Sequence, residues 1–374
     1  MSSTPKLFSP IHLGQLDLTH RVVLAPLTRY RATKAHVHTD LAEKYYGSLG
    51  TLPGSLLITE GTFIAQKAGG YRNVPGIWND EQVAAWKKVT DAVHANGSYI
   101  YMQLWALGRA ANPKVLAEED PENFQFLGAS DVKMADTTET PRAMTVEEIK
   151  EFVGLYAQAA HNAVHRAGFD GVELHGANGY LIDQFIQPKT NTRTDEYGGS
   201  IEKRARFVLE VLDAVTKAVG QDRTGIRFSP WGRFMDIRGD EDVRPQFSYV
   251  VQQLAERFPS LSYLHLVEPR TSGDGTDFPD TTESNDFLRA IWKPEIRRLI
   301  TAGGYKRQLA IDVAEKTGEL IAFGRLYISN PDLPRRLKED LPLTPSDRTK
   351  YYIPESPTGY IDWTYADGSP QVKL

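Results

Sequence analysis

With 374 residues, 41% hydrophobic and 24% charged, the chain has the balance of an ordinary soluble globular protein and enough length to bury a large core. It contains no cysteine, which excludes disulfides, thiolate nucleophiles and cysteine-ligated metals or clusters. A net charge of −5 with no basic run argues against nucleic acid as a partner. No apolar stretch approaches the roughly 18 residues of a membrane span, and the start lacks a signal peptide's apolar core, so the expected location is cytoplasmic.

Residues 1–20 are a polar lead-in with alternating Leu and Ile, read as a hairpin closing a barrel floor. Arg21 to Pro26 is the first buried strand, Leu41 to Leu49 a helix, and Ser55 to Glu60 the second strand, ending at Gly61. Asn79 to Ala95 reads as a helix with Asn79 as N-cap and Gln82 three positions on. Ser98 to Gln103 is the third strand, running into Leu104 and Trp105. From 106 to 142 sustained periodicity is lost, as expected of a lid or insertion loop. Thr145 to Arg166 is an amphipathic helix with a Thr145/Glu148 capping box, and it feeds the short apolar run Val172 to Leu174. Ser200 caps a helix that continues to Val219, and Gly225 to Pro230 is the fifth strand. Gln246 to Phe258 is helical, and Leu261 to Val267, Arg298 to Gly304 and Leu320 to Arg325 complete eight strands. Eight short apolar strands, mostly alternating with helices and without an internal repeat, predict an α/β fold. The expected architecture is a (β/α)8 TIM barrel over residues 1–374 as a single domain, with an aromatic, Pro-rich tail wrapping its top.

In such barrels the chemistry sits at the C-terminal ends of the strands. There the sequence places Thr28, Gly61, Gln103, Trp105, His175, Arg227, Gly303, Gly304, Gly324 and Arg325. Glycines after strands seven and eight, with Arg325 beside them, suit a phosphate group bound by bare N–H groups and a cation. Arg227 lies inside an apolar strand, which is costly unless it meets an anion. The stretch Gly171 to Tyr180 brings together an imidazole at His175, an amide at Asn178 and a neutral phenol at Tyr180. Two donors beside a neutral acid could hold a substrate oxygen and protonate a nearby carbon. Taken alone, these three residues also suit an ordinary buried His and an Asn-Gly turn.

Six ordered motifs narrow the reading. They are Pro26-Leu-Thr-Arg29, Ile58-Thr-Glu-Gly61, Met102-Gln-Leu-Trp105, His175-Gly-Ala-Asn-Gly-Tyr180, Asn191 to Arg204, and Phe323-Gly-Arg-Leu-Tyr-Ile-Ser-Asn-Pro-Asp-Leu333. In these the chain closely resembles the old yellow enzyme family of FMN-dependent ene-reductases, in its fungal branch. The resemblance implies non-covalent FMN, reduced by NADPH and passing hydride to the β-carbon of an α,β-unsaturated carbonyl substrate. It implies that Thr28 meets the flavin O4 edge, Gln103 the pyrimidine edge, and Arg227 the N1 and C2=O side. Gly303, Gly304, Gly324 and Arg325 would hold the phosphate, with Pro26 and Gly61 in the same cofactor site. His175 and Asn178 would grip the substrate carbonyl while Tyr180 protonates the α-carbon, and Trp105, Phe234 and Tyr352 would line the substrate pocket. Neither a metal nor a catalytic cysteine is required, and a monomer or homodimer is expected.

The chain departs from the family pattern in places. Gly304 replaces an Asn common in yeast relatives, and Met235 stands where some relatives carry Asn. Arg270 to Asp286 fits loosely, and Thr28 replaces the Cys of a thermophile-like branch. Within the family, the alternative is a secondary-metabolite reductase or isomerase of the ergot-alkaloid type, acting on an aldehyde. Phe at the Tyr180 position accompanies isomerisation there, so Tyr180 favours net reduction. From other classes, a flavin-free phosphate-binding barrel lyase or a non-catalytic binding protein would keep the glycines. Neither would have a use for Thr28, Gln103 and Arg227 together.

Overall fold

Eight parallel strands close into a barrel in which every strand pairs with its neighbour in sequence and the eighth pairs with the first to complete the ring. They are β1 (Val22–Leu24), β2 (Leu56–Phe63), β3 (Tyr99–Trp105), β4 (Gly171–Gly176), β5 (Thr224–Phe228), β6 (Tyr263–Val267), β7 (Leu299–Ala302) and β8 (Leu320–Phe323). The computed structural model describes residues 4–372 apart from 274, 279 and 280. Those three fall within the loosely fitting stretch Arg270 to Asp286, so that part of the expectation lies outside the described residues. All strands but β3, whose first residue is half-buried, are buried throughout, which is why they read as continuous apolar runs rather than alternating ones.

The capped helices form as their sequences dictate. Asn79 Oδ1 accepts from the Gln82 N–H at 2.9 Å, and Thr145 Oγ1 accepts from the Glu148 N–H at 3.2 Å, each closing a capping box. The first of these helices runs Asp80–Ala95 and the second Val146–His161, the latter passing into a π-helical turn over Asn162–Arg166. Ser200 caps Ile201–Val219. Six helices among the described residues escaped the sequence reading: Pro113–Glu119, Leu181–Ile186, Asp286–Trp292, Arg307–Thr317, Arg325–Ser329 and Leu333–Glu339. All but Arg307–Thr317 are two turns or less, and that one buries only Ala310 and Ala314.

Residues 11–18 are the expected hairpin, Ile11–Leu13 against Leu16–Leu18. Its turn residue Gly14 has φ +57°, and a Cβ there would lie 2.1 Å from the Asp222 carbonyl oxygen. Leu13, Leu16 and Leu18 plug the barrel against Val23, Leu56, Tyr101, Tyr263, Ile300 and Leu320. β2 runs two residues past its expected end, because a bulge between Ile58 and Gly61 resets its register against β3. The segment 106–142 has more order than its sequence suggests. It contains a helix at Pro113–Glu119, and Leu127–Gly128 pairs in parallel with Arg142–Ala143.

The tail does cross the top, held by two fully buried arginines. Arg29 donates to the carbonyls of Tyr351 (3.2 Å) and Gly359 (2.6 Å), and Arg31 to those of Tyr351 (2.6 Å), Ser356 (3.0 Å) and Thr358 (2.6 Å). Among the described residues, no helix is long and apolar enough to cross a membrane.

Candidate active site

Four neighbouring strands carry polar side chains into the barrel at one level. The register sets Gln103 beside Glu173, His175 beside Arg227, and Arg227 beside His265. Gln103 Nε2 donates to Glu173 Oε1 at 2.8 Å, and His265 Nδ1 donates to Glu173 Oε2 at 2.8 Å. Burial works to raise the Glu173 carboxyl, but His265, Arg227 and Gln103 together outweigh it and hold it below the usual carboxylate range. Arg227 is treated differently. It has no ion pair among the described residues, and its buried Nε has no hydrogen-bond partner. Burial disfavours its charge, and Glu173, Tyr263 and Tyr180 offset this only in part.

The β4 turn holds its backbone in the left-handed region at Asn178 (φ 59°) and Gly179 (φ 83°). Asn tolerates this conformation and glycine is free in it, which is why Asn-Gly stands here. The Asn178 N–H donates to Ser229 Oγ at 2.8 Å, and the Gly179 N–H to Asp183 Oδ2 at 2.9 Å. Gln184 Nε2 donates to the Gly179 carbonyl at 2.8 Å. The side chains this turn presents are left open, with Asn178 Oδ1 buried and unpartnered.

His175 Nδ1 accepts from the Ala177 N–H at 3.3 Å, so in the neutral ring the proton sits on Nε2. Burial, reinforced by Arg227 and His265, keeps that ring neutral by holding its pKa well below the usual value. The imidazole stacks on Trp105 (5.8 Å, 17°), and Tyr180 stands edge-on to both, at 4.7 Å from Trp105 and 4.9 Å from His175. Burial, with Tyr71, Tyr30 and Tyr352 adding, raises the Tyr180 phenol well above its usual value. Its hydroxyl makes no hydrogen bond among the described residues.

A cavity of about 410 Å³ opens beside these groups, lined by Pro26, Asn178, Arg227, Gly303, Gly304, Gly324, Arg325 and Tyr352 among others. Eight of the residues singled out in the sequence therefore share one wall. Gly303 has φ +129° and Gly304 φ +60°. The second value is one that Asn also adopts. Arg325 is already engaged, pairing with Asp277 Oδ1 at 2.8 Å and donating to the Gly275 carbonyl at 3.1 Å.

The remaining predicted residues surround this wall without forming it. Gly61 is required by packing, since a Cβ there would lie 2.5 Å from Trp105 Cε3. Thr28 lies two residues beyond Pro26, next to Arg29, whose N–H donates to Glu60 Oε2 at 3.1 Å. Phe234 borders Asn178 at Gly273, where a Cβ would lie 3.1 Å from Phe234 Cδ1 and 3.0 Å from Asn178 Cγ. Tyr352, which does belong to the wall, is 45% exposed and stands edge-on to Tyr30 at 5.7 Å.

Sequence reasoning missed Glu173, His265, Lys306 and Arg348, the last two also in the cavity wall. Glu173 lies inside an apolar strand just as Arg227 does, and the same signal would have found it. Arg348 comes from the tail, where no periodic pattern marks it.

Comparison with known proteins agrees with this geometry. Residues 6–344 match the NADH:flavin oxidoreductase / NADH oxidase family. The chain is 49% identical to a chanoclavine-I aldehyde reductase of Penicillium roqueforti, covering 96% of each chain. It is 46% identical to an NADP-dependent oxidoreductase of Aspergillus flavus, covering 97% of each. Among solved structures, it superposes on an old yellow enzyme from Pichia sp. with a TM-score of 0.89 at 39% identity, covering 99% of this chain and 96% of that one.

Proposed function

Because the chain belongs to the NADH:flavin oxidoreductase / NADH oxidase family, a flavin- and nicotinamide-using group, we propose that it is an FMN-dependent ene-reductase. It takes reducing equivalents from NADPH and saturates the C=C bond of an α,β-unsaturated carbonyl compound. The observation that carries this reading is the buried cation of Arg227, which has no ion pair among the described residues and an Nε without a hydrogen bond, in register with a neutral His175. A cation in that state calls for an anionic or strongly accepting partner, which a flavin ring supplies.

The residues present fit the cofactor. Arg227, Gln103 and Thr28 would hold its ring edges, with Pro26 and Gly61 beside them, and Gly303, Gly304, Gly324 and Arg325 would hold its phosphate. Asp277 is the group that the phosphate would displace from Arg325. When bound there, FMN would supply the redox chemistry, hydride transfer from NADPH to the substrate β-carbon.

The chain's own contribution is electrostatic and acid–base. His175 Nε2–H and the Asn178 amide donate to the carbonyl oxygen as charge develops there, each worth about 10²–10³ in rate. Being neutral, His175 polarises that oxygen without surrendering a proton to it. Tyr180 gives its phenolic proton to the α-carbon: the O–H bond breaks, the C–H bond forms, and solvent restores the phenol. Its raised pKa keeps the proton in place until the carbon is basic enough to take it. Trp105, Phe234 and Tyr352 shape the surrounding wall.

The likeness to an aldehyde reductase, together with Tyr180 as a proton source, supports an unsaturated aldehyde as the substrate class and net reduction as the outcome. Purified protein should be yellow and should release FMN on denaturation. NADPH should bleach it without oxygen, and an enal or enone should restore the colour. Colourless protein, or a reduced form that no enal or enone reoxidises, would overturn the reading.

A further inference from the structure

Arg109 lies in the single turn Gly108–Ala110 just past β3, and its side chain is almost wholly buried. Its guanidinium forms no ion pair among the described residues and bonds to backbone instead. Nη2 donates to the carbonyls of Met235 (2.8 Å) and Asp236 (3.0 Å), and Nη1 to those of Val132 (3.4 Å) and Lys133 (3.3 Å). Its own N–H donates at 3.1 Å to Gln184 Oε1, on the short helix Leu181–Ile186 that Tyr180 opens. One residue therefore joins the loops after β3, β4 and β5.

What it holds is under strain. Met235 (φ 57°) and Asp236 (φ 53°) are consecutive non-glycine residues in the left-handed region, where a Cβ is unfavourable. Met235 packs against the cluster that contains Trp105 and Tyr180, and a Cβ on Gly179 would lie 3.0 Å from Met235 Cβ. Phe234 borders Asn178 through Gly273. An Asn would adopt this turn more easily than Met. With Met it needs an outside hold, and the described contacts offer two: Arg109 on its carbonyls and Lys189 on the Asp236 carboxylate.

We infer that Arg109 is a positioning residue that fixes Phe234 and Met235 as the wall of the acceptor pocket and so sets which acceptors fit, without touching cofactor or acceptor. The inference rests on the ene-reductase reading above. It also gives segment 106–142 a task, since Val132 and Lys133 are drawn to the same guanidinium.

Arg109→Met should raise the KM for a small enone about tenfold through a misplaced wall, with kcat changed less than about twofold. FMN content and the rate of flavin reduction by NADPH should stay at wild-type levels. Asp236→Asn keeps an acceptor for Lys189 and takes the left-handed region more readily, so adding it to Arg109→Met should recover part of the lost KM. An unchanged KM in Arg109→Met, loss of FMN, or a double variant whose effects simply add would each overturn the assignment. If Arg109→Met does not fold, Arg109→Lys, which keeps the charge and the methylene stem, should show a smaller rise in the same constant. Failure of both to fold would make Arg109 a structural residue and also overturn it. A wild-type enzyme that reduces no enone would sink the ene-reductase reading instead. The wall would then be read from phenol affinity of the flavin-loaded protein, where Arg109→Met should show the same loss, and an unchanged affinity would overturn the assignment.

Discussion

The two ends of this barrel are built on opposite principles. At the N-terminal end, Leu13, Leu16 and Leu18 close the interior against Val23, Leu56, Ile300 and Leu320, and stability there comes from apolar burial of about 25 cal/mol per Å². At the C-terminal end the interior carries Gln103, Glu173, His175 and Arg227, with Arg227 Nε and Asn178 Oδ1 unpartnered. Glu173 offsets the burial of the Arg227 cation only in part, so on the proposed reading a bound ligand completes this end. The barrel thus keeps stability and chemistry at separate ends, and substitutions should sort accordingly.

The largest expected effect is on chemistry alone. Tyr180→Phe removes one proton and little volume, so folding, flavin content and reduction by NADPH should persist while reoxidation by cyclohexenone slows by about 10²–10⁴. Oxygen or a quinone, which need no carbon protonation, should reoxidise the variant normally. Stopped-flow measurement of both half-reactions decides this, and equal slowing of the two would make Tyr180 structural. Next is a floor substitution: Leu16→Ala should cost about 2–5 kcal/mol in urea unfolding and leave flavin affinity unchanged. Arg227→Met should do the reverse, weakening FMN binding by about ten- to a hundredfold while leaving the apoprotein as stable or more so. Calorimetry of apo and loaded protein would show it, and a destabilised apoprotein with normal FMN affinity would break the comparison.

The smallest effect concerns pH. Burial raises the Asp183 carboxyl to about 7 in the fold, whereas the unfolded side chain ionises at about 3.9. The contribution is therefore complete below about pH 4, declines as pH rises towards about 7, and is absent above that. Asp183→Asn can still accept from the Gly179 N–H but does not titrate. Relative to this variant, the wild type should lose stability between pH 4.5 and pH 8, read as a change in the urea-midpoint difference. A pH-independent difference would count against the shift.

The two ends were also unequally legible in the sequence. Buried parallel strands announce themselves as apolar runs, and capping boxes at Asn79 and Thr145 fixed two helix starts by local chemistry. Arg227 was conspicuous because it interrupts such a run. By contrast, the bulge in β2, the left-handed pair at Met235 and Asp236, and the grip of Arg109 on distant carbonyls have no local signature. They arise when loops from different strands meet. The pairing of Arg325 with Asp277 is of the same kind, since 48 residues separate the partners. Gly61, singled out as a ligand residue from its place at a strand end, has a packing role that no local pattern announces: it makes room for Trp105.

The claim that the C-terminal end is an incomplete anion site is tested most directly by titrating the oxidised, flavin-loaded protein with a phenol. Held by His175 and Asn178 and favoured by Arg227, the phenol should bind as its phenolate and produce a long-wavelength charge-transfer band. The double variant His175→Ala with Asn178→Ala should lose that band. Its affinity should fall by at least about a hundredfold, given the worth of each donor. A band of similar intensity and affinity in the double variant would contradict the account.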